Sequence, residues 1–201
     1  MKVAIIGAGA SGLMLGGLLT QKGYEVTIFD GNEKAGKKLY ITGKGRCNIT
    51  NLCDTDEFLK NVVRGEKFFR SAIYSFSPQD TVVFFENLGL ITKVERGNRV
   101  FPKSDKSSDV IKALLKHCKD VKFMYNSKVE KIVKTEKGFK IFLKNENPKE
   151  EKNVKGDYVA DKVVIATGGE SYKATGSDGS GHTLAKSFGH TVEEIRPALC
   201  P

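Results

Sequence analysis

The start of the chain alternates short apolar runs with glycine-rich breaks. Residues 2–6 are apolar on both faces after Lys2, which is typical of a strand buried in a parallel sheet. A helical pattern over 13–21 follows, Gly23 ends it, and residues 25–30 form a second, alternating strand. This order predicts a β–α–β unit.

The rest of the chain mixes helical and alternating patterns around a long irregular stretch. Residues 31–53 are rich in Gly, Lys and Asn and show no periodicity, which is unusual for a passive connection. The predicted elements after it are helices 56–64 and 67–76, a helix capped by Ser77 and Asp80 with Pro78 at its first position and ended by Gly89, a hairpin of 91–95 and 99–101, helix 108–118, strands 121–125, 128–135, 139–143 and 158–167, and helix 179–188. We therefore predict an α/β fold, in which a parallel Rossmann-like sheet is joined by an antiparallel β-meander over roughly 121–144.

A G-x-G-x-x-G motif lies between the first strand and the first helix. Gly7 permits a tight turn, Gly9 lets the backbone approach a pyrophosphate, and Gly12 allows close packing of helix on strand. The free N–H groups at the start of the helix attract phosphate. Asp30 ends the second strand, where it would accept hydrogen bonds from ribose hydroxyls, and an acid there argues against a 2′-phosphate. The alternative is a glycine-rich turn in some other α/β protein.

The glycine motif alone does not distinguish NAD from FAD, but the layout after it does. A simple NAD dehydrogenase would continue with alternating strands and helices. This chain instead leaves for a loop, helices and a meander, and returns with a strand that ends in Ala166-Thr167-Gly168. That order is typical of flavoproteins with two dinucleotide-binding domains, and it places Thr167 and Gly168 against the cofactor. The sequence therefore predicts FAD.

Longer motifs add a resemblance to one family. Residues 36–51 read Gly-Lys-Lys-Leu-Tyr-Ile-Thr-Gly-Lys-Gly-Arg-Cys-Asn-Ile-Thr-Asn, which resembles the G-[RK]-K-x-x-x-[ST]-G-x-G-R-C-N-x-[ST]-N loop of the YhiN/BaiN-like flavoproteins. Residues 99–102 and 166–179 resemble that family's R-V-F-P and A-T-G-G-x-S-Y…T-G-S-x-G segments. The resemblance implies a bacterial FAD-dependent oxidoreductase, with NAD(P)H as electron donor and a small organic substrate of the enone or amine type.

The resemblance also implies roles for individual residues. Ser11 would face the pyrophosphate, Lys37, Lys38 and Arg46 would add positive charge beside it, and Cys47 and Asn48 would lie toward the ribityl chain or flavin. Val129 would offer backbone hydrogen bonds to adenine. The cofactor-binding set predicted in this way is Gly7, Gly9, Ala10, Ser11, Gly12, Asp30, Lys37, Lys38, Gly45, Arg46, Cys47, Asn48, Val129, Ala166, Thr167 and Gly168. The alternatives are a solvated basic loop for the lysines, a small buried hydrophobe for Cys47 and an ordinary strand residue for Val129. Tyr172 and His182 have side chains that can donate protons, but the sequence assigns no catalytic acid or base, because the flavin itself carries the electrons.

Members of the resembled family are about twice as long as these 201 residues. We therefore expect residues 1–201 to be the N-terminal portion of an FAD-binding domain, without the inserted substrate domain and the C-terminal FAD segment. An exposed apolar surface and an open sheet edge would then favour self-association. Three hypotheses remain, namely a flavoenzyme, a non-catalytic dinucleotide-binding fragment and a tRNA-modifying flavoprotein.

Charge and cysteine content limit the partners. The net charge of +9 is concentrated in residues 34–70 and 93–119, which suits a phosphate-bearing ligand or a nucleic acid. The basic residues are not interleaved with stacking aromatics, so nucleic acid is the less favoured partner. The four cysteines form no CxxC pair, so no metal site is predicted and a reducing cytoplasm is favoured. The uncharged run over 3–19 could be mistaken for a signal peptide, but it holds five glycines and no cleavage site follows it, so neither export nor a membrane segment is expected.

Overall fold

The computed structural model describes residues 1–144 and 158–196. The chain divides into two compact units: unit 1 consists of residues 1–35 and 120–201, and unit 2 of residues 36–119. Across the described ranges, no helix is long and apolar enough to cross a membrane.

The helices and strands of the described residues follow in chain order. They are β1 (Lys2–Ile6), α1 (Ala10–Gln21), β2 (Glu25–Phe29), a 3-10 turn (Leu39–Gly45), β3 (Thr50–Asn51), α2 (Thr55–Lys60), α3 (Glu66–Ser75), α4 (Pro78–Asn87), β4 (Thr92–Glu95), β5 (Arg99–Pro102), α5 (Ser107–His117), β6 (Lys122–Met124), β7 (Val129–Thr135), β8 (Gly138–Leu143), β9 (Tyr158–Ala160), β10 (Lys162–Ile165), a 3-10 turn (Lys173–Thr175) and α6 (Ser180–Lys186).

A four-stranded parallel sheet forms the base of unit 1. Its strand order is β10-β1-β2-β6, and every pair in it is parallel. Residues 3–6 of β1 are buried, as the apolar run predicts. The chain moves outward from β1 through β2 to β6 and then returns to the other side of β1 as β10, so the strand order reverses between β1 and β10. The predicted α/β fold with a Rossmann-like parallel sheet is confirmed.

The second sheet of unit 1 is antiparallel, in the order β7-β8-β9. Ile132, Ile141 and Ala160 of this sheet pack in one core with Ile6 and Phe29 of the parallel sheet. The meander predicted over 121–144 is therefore only partly correct. It begins at β7, because β6 pairs with β2 in the parallel sheet.

The single strand predicted over 158–167 is wrong, because the chain changes sheets at Asp161. The Asp161 carboxylate accepts a 2.6 Å hydrogen bond from the Lys2 backbone N–H, and the Asp161 N–H donates to the Lys2 carbonyl. These bonds separate β9 in the meander from β10 in the parallel sheet. Although its sequence is apolar, β10 is only partly buried, because it is an edge strand in the described sheet, and Ile165 is 36% exposed.

Unit 2 combines a small antiparallel sheet, β3-β5-β4, with helices α2 to α5. The hairpin of β4 and β5 confirms the prediction for 91–101. The start of α4 is also as predicted, since Ser77 and Asp80 form a capping box and Pro78 opens the helix. Residues 31–53 were predicted to lack regular structure, but they contain a 3-10 turn and β3.

Candidate functional site

The glycine turn connects the carboxyl end of β1 to the amino end of α1. Gly7 has φ +112°, and its N–H donates a 2.7 Å hydrogen bond to the Phe29 carbonyl of the neighbouring strand. A Cβ at Gly7 would overlap the carbonyl oxygen of Ala166, and a Cβ at Gly12 would overlap that of Gly7. The packing of the turn therefore explains two of the three motif glycines.

Gly9 has no such explanation in the protein itself. Its φ of −81° and ψ of −171° are extended values that any residue adopts, and a Cβ there would meet no described atom within 4 Å. Gly9 is also the N-cap of α1, which has no side-chain cap and no acidic residue in its first turn. The N–H groups that begin α1 thus have no side-chain cap, and the space where a side chain of residue 9 would lie is open, as a bound phosphate requires.

Asp30 fastens this turn to the neighbouring segments. Its Oδ2 accepts a 2.7 Å hydrogen bond from the Ala8 N–H, and its Oδ1 accepts bonds of 2.8 Å from both the backbone and the side-chain amide of Asn32. The Asn32 amide also donates to the Thr175 carbonyl at 3.3 Å. A carboxylate has about four acceptor positions, so one remains for a ligand hydroxyl. The sequence shows only that an acidic residue ends the second strand, so the hydrogen bonds that Asp30 accepts from the protein itself were not predicted.

The point where the strand order reverses lies directly beside the turn. Ala166 follows β10 and adjoins Gly7, and the Ala166 N–H donates a 2.8 Å hydrogen bond to the Ile6 carbonyl. A Cβ at Gly181 would overlap the Thr167 hydroxyl, so the start of α6 packs against the end of β10. Ligands of open α/β sheets bind at such a reversal, outside the carboxyl ends of the strands.

Two further predicted residues lie in unit 1. Val129 begins β7, is 5% exposed and belongs to the core cluster that includes Phe29. Gly168 has φ +80° and lies against Ser177, whose Oγ is 2.7 Å from the position of a Cβ. The predicted residues that unit 1 brings together are Gly7, Gly9, Ala10, Ser11, Gly12, Asp30, Val129, Ala166, Thr167 and Gly168.

The remaining predicted residues lie in unit 2, in a loop with unusual backbone angles. Gly43, Lys44, Gly45 and Cys47 all have positive φ, of 55°, 57°, 85° and 60°. For Lys44 and Cys47 this conformation is strained, and such strain persists only where the surroundings hold it. Contacts with residues outside the loop are therefore needed to stabilise this conformation.

Arg46 makes such contacts with the β4–β5 hairpin and the residues that follow it. Its Nε donates a 2.7 Å hydrogen bond to Asp105, its Nη2 bonds to Glu95, and its guanidinium lies 4.2 Å from the centre of the Phe101 ring. The Lys93 ammonium bonds to Asp105 at 2.6 Å. Hydrogen bonds from Lys93 and Arg46 lower the pKa of Asp105, and the bond from Arg46 lowers that of Glu95. Two cations thus face two carboxylates, so the positive charge that Arg46 was expected to add beside phosphates is balanced within unit 2.

The residues after Arg46 are held by the hairpin. Cys47 is 3% exposed, and burial raises the pKa of its thiol, which disfavours the reactive thiolate. In the orientation that satisfies its hydrogen bonds, the Asn48 amide donates to the carbonyls of Thr50 and Val100 at 3.1 and 3.2 Å. For the unit 2 residues Lys37, Lys38, Gly45, Arg46, Cys47 and Asn48, contact with a cofactor stays a prediction.

The strand order and the glycine turn define a Rossmann-type protein. The chain belongs to the family described as HI0933-like protein Rossmann domain, whose model matches residues 1–196. The resemblance to the YhiN/BaiN-like flavoproteins is thereby confirmed.

Two named relatives are similar to almost the whole of this chain. The chain is 35% identical to a 3-dehydro-bile acid delta(4,6)-reductase of Clostridium scindens, over 98% of this chain and 46% of that protein. It is 30% identical to a ribosomal RNA dihydrouridine synthase of Escherichia coli, again over 98% of this chain and 46% of that protein. The chain spans about half the length of the curated relatives it matches.

Among solved structures, the fold is similar to that of Mycobacterium smegmatis Sdh1 in its apo complex. The TM-score is 0.64 at 17% identity, with 92% of this chain and 38% of that chain covered.

Proposed function

We propose that this chain binds FAD and forms the cofactor-binding part of an FAD-dependent oxidoreductase. The observation that carries the proposal is the open space at Gly9. The packing of the protein accounts for Gly7 and Gly12, whereas a glycine at position 9 serves a molecule that comes close to the backbone from outside.

Each residue of unit 1 would hold a different part of FAD. The N–H groups of Ala10, Ser11 and Gly12 would bind the pyrophosphate, and the remaining acceptor position of Asp30 would bind a ribose hydroxyl. The backbone of Val129 would bind adenine, while Thr167 and Gly168 would pack on the cofactor. FAD supplies the transfer of a hydride or of single electrons.

The substrate proposal rests on the names of the two relatives. One name describes the reduction of a bile acid, and the other describes the formation of dihydrouridine, a nucleoside whose uracil ring has lost its carbon–carbon double bond. We propose that the shared chemistry is the reduction of a double bond conjugated to a carbonyl group. By the family resemblance, NAD(P)H would be the electron donor. Cys47, Cys53 and Cys118 are free, which fits a reaction in a reducing cytoplasm.

A nucleic-acid substrate is the second candidate, because one relative is named for ribosomal RNA and residues 93–119 carry eight basic against three acidic residues. Part of that charge is already paired, since Lys93 bonds to Asp105 and Lys112 lies 3.4 Å from Asp109. A small organic substrate is therefore preferred. Retention of RNA that falls steeply with salt would reverse this preference.

FAD binding is tested by adding the purified chain to FAD in steps and measuring the fluorescence of the flavin. We expect saturable quenching, a yellow protein after gel filtration and a higher Tm with FAD, since a ligand at a hundred times its Kd stabilises by about 2.7 kcal/mol. A chain that is folded by circular dichroism but gives no quenching would refute the proposal and leave the non-catalytic fragment. Oxidation of NADH or NADPH by the FAD-loaded chain then tests the electron donor.

A further inference from the structure

Glu170 and His182 form a pair that none of the roles above uses. The Nδ1 atom of His182 is 3.7 Å from Oε1 of Glu170. Nδ1 is buried and has no hydrogen-bond partner, although the side chain as a whole is 33% exposed. A buried ring nitrogen without a partner is uncommon and calls for an explanation.

The Glu170 carboxylate lies against the segment that precedes α6. The N–H of Gly179 donates to the Gly169 carbonyl at 3.3 Å, and the His182 N–H donates to the Gly179 carbonyl at 2.9 Å. A Cβ at Gly179 would lie 2.5 Å from Oε1 of Glu170, so the carboxylate rests on the bare Cα of this glycine. Gly179 thus leaves room for the carboxylate beside the imidazole, and backbone hydrogen bonds join Gly179 both to Gly169, which precedes Glu170, and to His182.

The position of the carboxylate decides which ring nitrogen carries the proton. An unprotonated Nδ1 would direct its lone pair at a carboxylate, with no donor near it. A protonated Nδ1 faces an acceptor that a small side-chain rotation brings into hydrogen-bond distance. Nδ1 is buried while the side chain as a whole is 33% exposed, so the exposed part of the ring lies away from Nδ1, on the side that carries Nε2.

The backbone that precedes His182 packs against a segment of the proposed cofactor site. Gly181, which precedes His182, packs against Thr167 at the end of β10. Thr167 follows Ala166, and Ala166 adjoins Gly7 of the glycine turn. This series of contacts places the start of α6, which carries His182, beside the point where the strand order reverses.

We infer that Glu170 holds the proton of His182 on Nδ1 and thereby presents Nε2 as the proton-transfer atom of the reaction proposed above. The inference rests on the proposed function. Bound reduced FAD would supply a hydride, as an electron pair with its proton, to one carbon of the double bond. Nε2 of the imidazolium would give a proton to the other carbon, so that the π bond is replaced by two C–H bonds. His182 is left neutral with its proton on Nδ1, and solvent returns the proton to Nε2.

The proton position can be measured without any enzymatic activity. The chain has three histidines, so long-range ¹H–¹⁵N spectra of the ¹⁵N-labelled protein above pH 8 contain few imidazole signals. His182→Gln assigns the signal of His182, and His190→Gln assigns that of an exposed histidine on the same unit. We expect His182 to be mainly the Nδ1–H form in the wild type and to shift toward the Nε2–H form in Glu170→Ala. An Nε2–H form in the wild type, or an unchanged form in folded Glu170→Ala, would overturn the inference.

The placement of Nε2 is tested on the wild type by adding FAD. We expect saturating FAD to shift the Nε2 signal of His182 and to leave that of His190 unchanged. Bound FAD without any shift at His182 would overturn the proton-transfer role while the proposed function stands. If FAD does not bind at all, the proposed function fails, and the proton-transfer role fails with it.

Discussion

Substitution of Gly9 distinguishes an effect on FAD affinity from an effect on the free energy of unfolding. The backbone angles of Gly9 suit alanine, and the added Cβ meets no described atom within 4 Å. An N-cap glycine is preferred over alanine by about 1 kcal/mol, and the reduced freedom of the unfolded chain returns about 0.4–1 kcal/mol. Gly9→Ala should therefore change the unfolding free energy by less than about 1 kcal/mol, or about 2–4 °C in Tm.

FAD binding should respond much more strongly. The new methyl group occupies the space through which a phosphate reaches the N–H groups of α1, and a hydrogen bond to a charged group contributes about 1.5–3 kcal/mol. We expect Gly9→Ala to weaken FAD binding about 10- to 100-fold, measured by fluorescence titration beside thermal unfolding.

Two other glycines supply the controls. Gly12→Ala places its Cβ against the Gly7 carbonyl and should cost about 1–3 kcal/mol or more of stability. Gly23→Asn adds a side chain to open space at the other end of α1, in a left-handed position that asparagine tolerates, and should leave FAD binding unchanged. Gly9→Ala with wild-type affinity, or with a loss of stability like that of Gly12→Ala, would refute the reasoning.

Two further predictions concern ion pairs, one in each unit. Arg46→Ala should destabilise the strained loop and so speed the labelling of the buried Cys47 thiol by a disulfide reagent. The control Arg70→Ala removes a surface ion pair within α3 and should leave the labelling rate unchanged. Equal labelling rates in the two variants would contradict the role of Arg46 in stabilising the loop. The hydrogen bond from Lys128 lowers the pKa of Asp178 well below its ordinary 3.8, so this pair stabilises the fold fully above about pH 5 and loses its contribution as the pH falls through the folded-state value. The difference in unfolding free energy between the wild type and Lys128→Met should accordingly be constant near neutral pH and shrink below about pH 4; a difference that grows in acid would contradict it.

Local patterns predicted much of unit 1 and the helix starts of unit 2. The β–α–β unit follows from periodicity and from Gly7, Gly9 and Gly12, and the start of α4 follows from Ser77 and Asp80, because these signals act within a few residues. The sheet assignment of β6 could not be predicted in this way, since a strand of three residues does not reveal its partner.

The hydrogen-bond partners of Arg46 and Asp30 could not be predicted, because they lie far from these residues in the sequence. The carboxylates that balance Arg46 lie 49 and 59 residues along the chain, so an arginine in a glycine-rich loop was expected to be available to phosphate. Asp30 likewise bonds to Ala8, 22 residues away. Self-association through an open sheet edge stays a prediction, to be checked by sedimentation, with the partly exposed Ile165 of β10 as the residue to change.

A crystal structure of the chain grown with FAD tests the central claim most directly. The account predicts that the pyrophosphate lies within hydrogen-bond distance of the N–H groups of Ala10, Ser11 or Gly12, and that a ribose hydroxyl reaches the free acceptor position of Asp30. FAD bound elsewhere on the chain, or density for the protein with the space at Gly9 empty at saturating FAD, would contradict it.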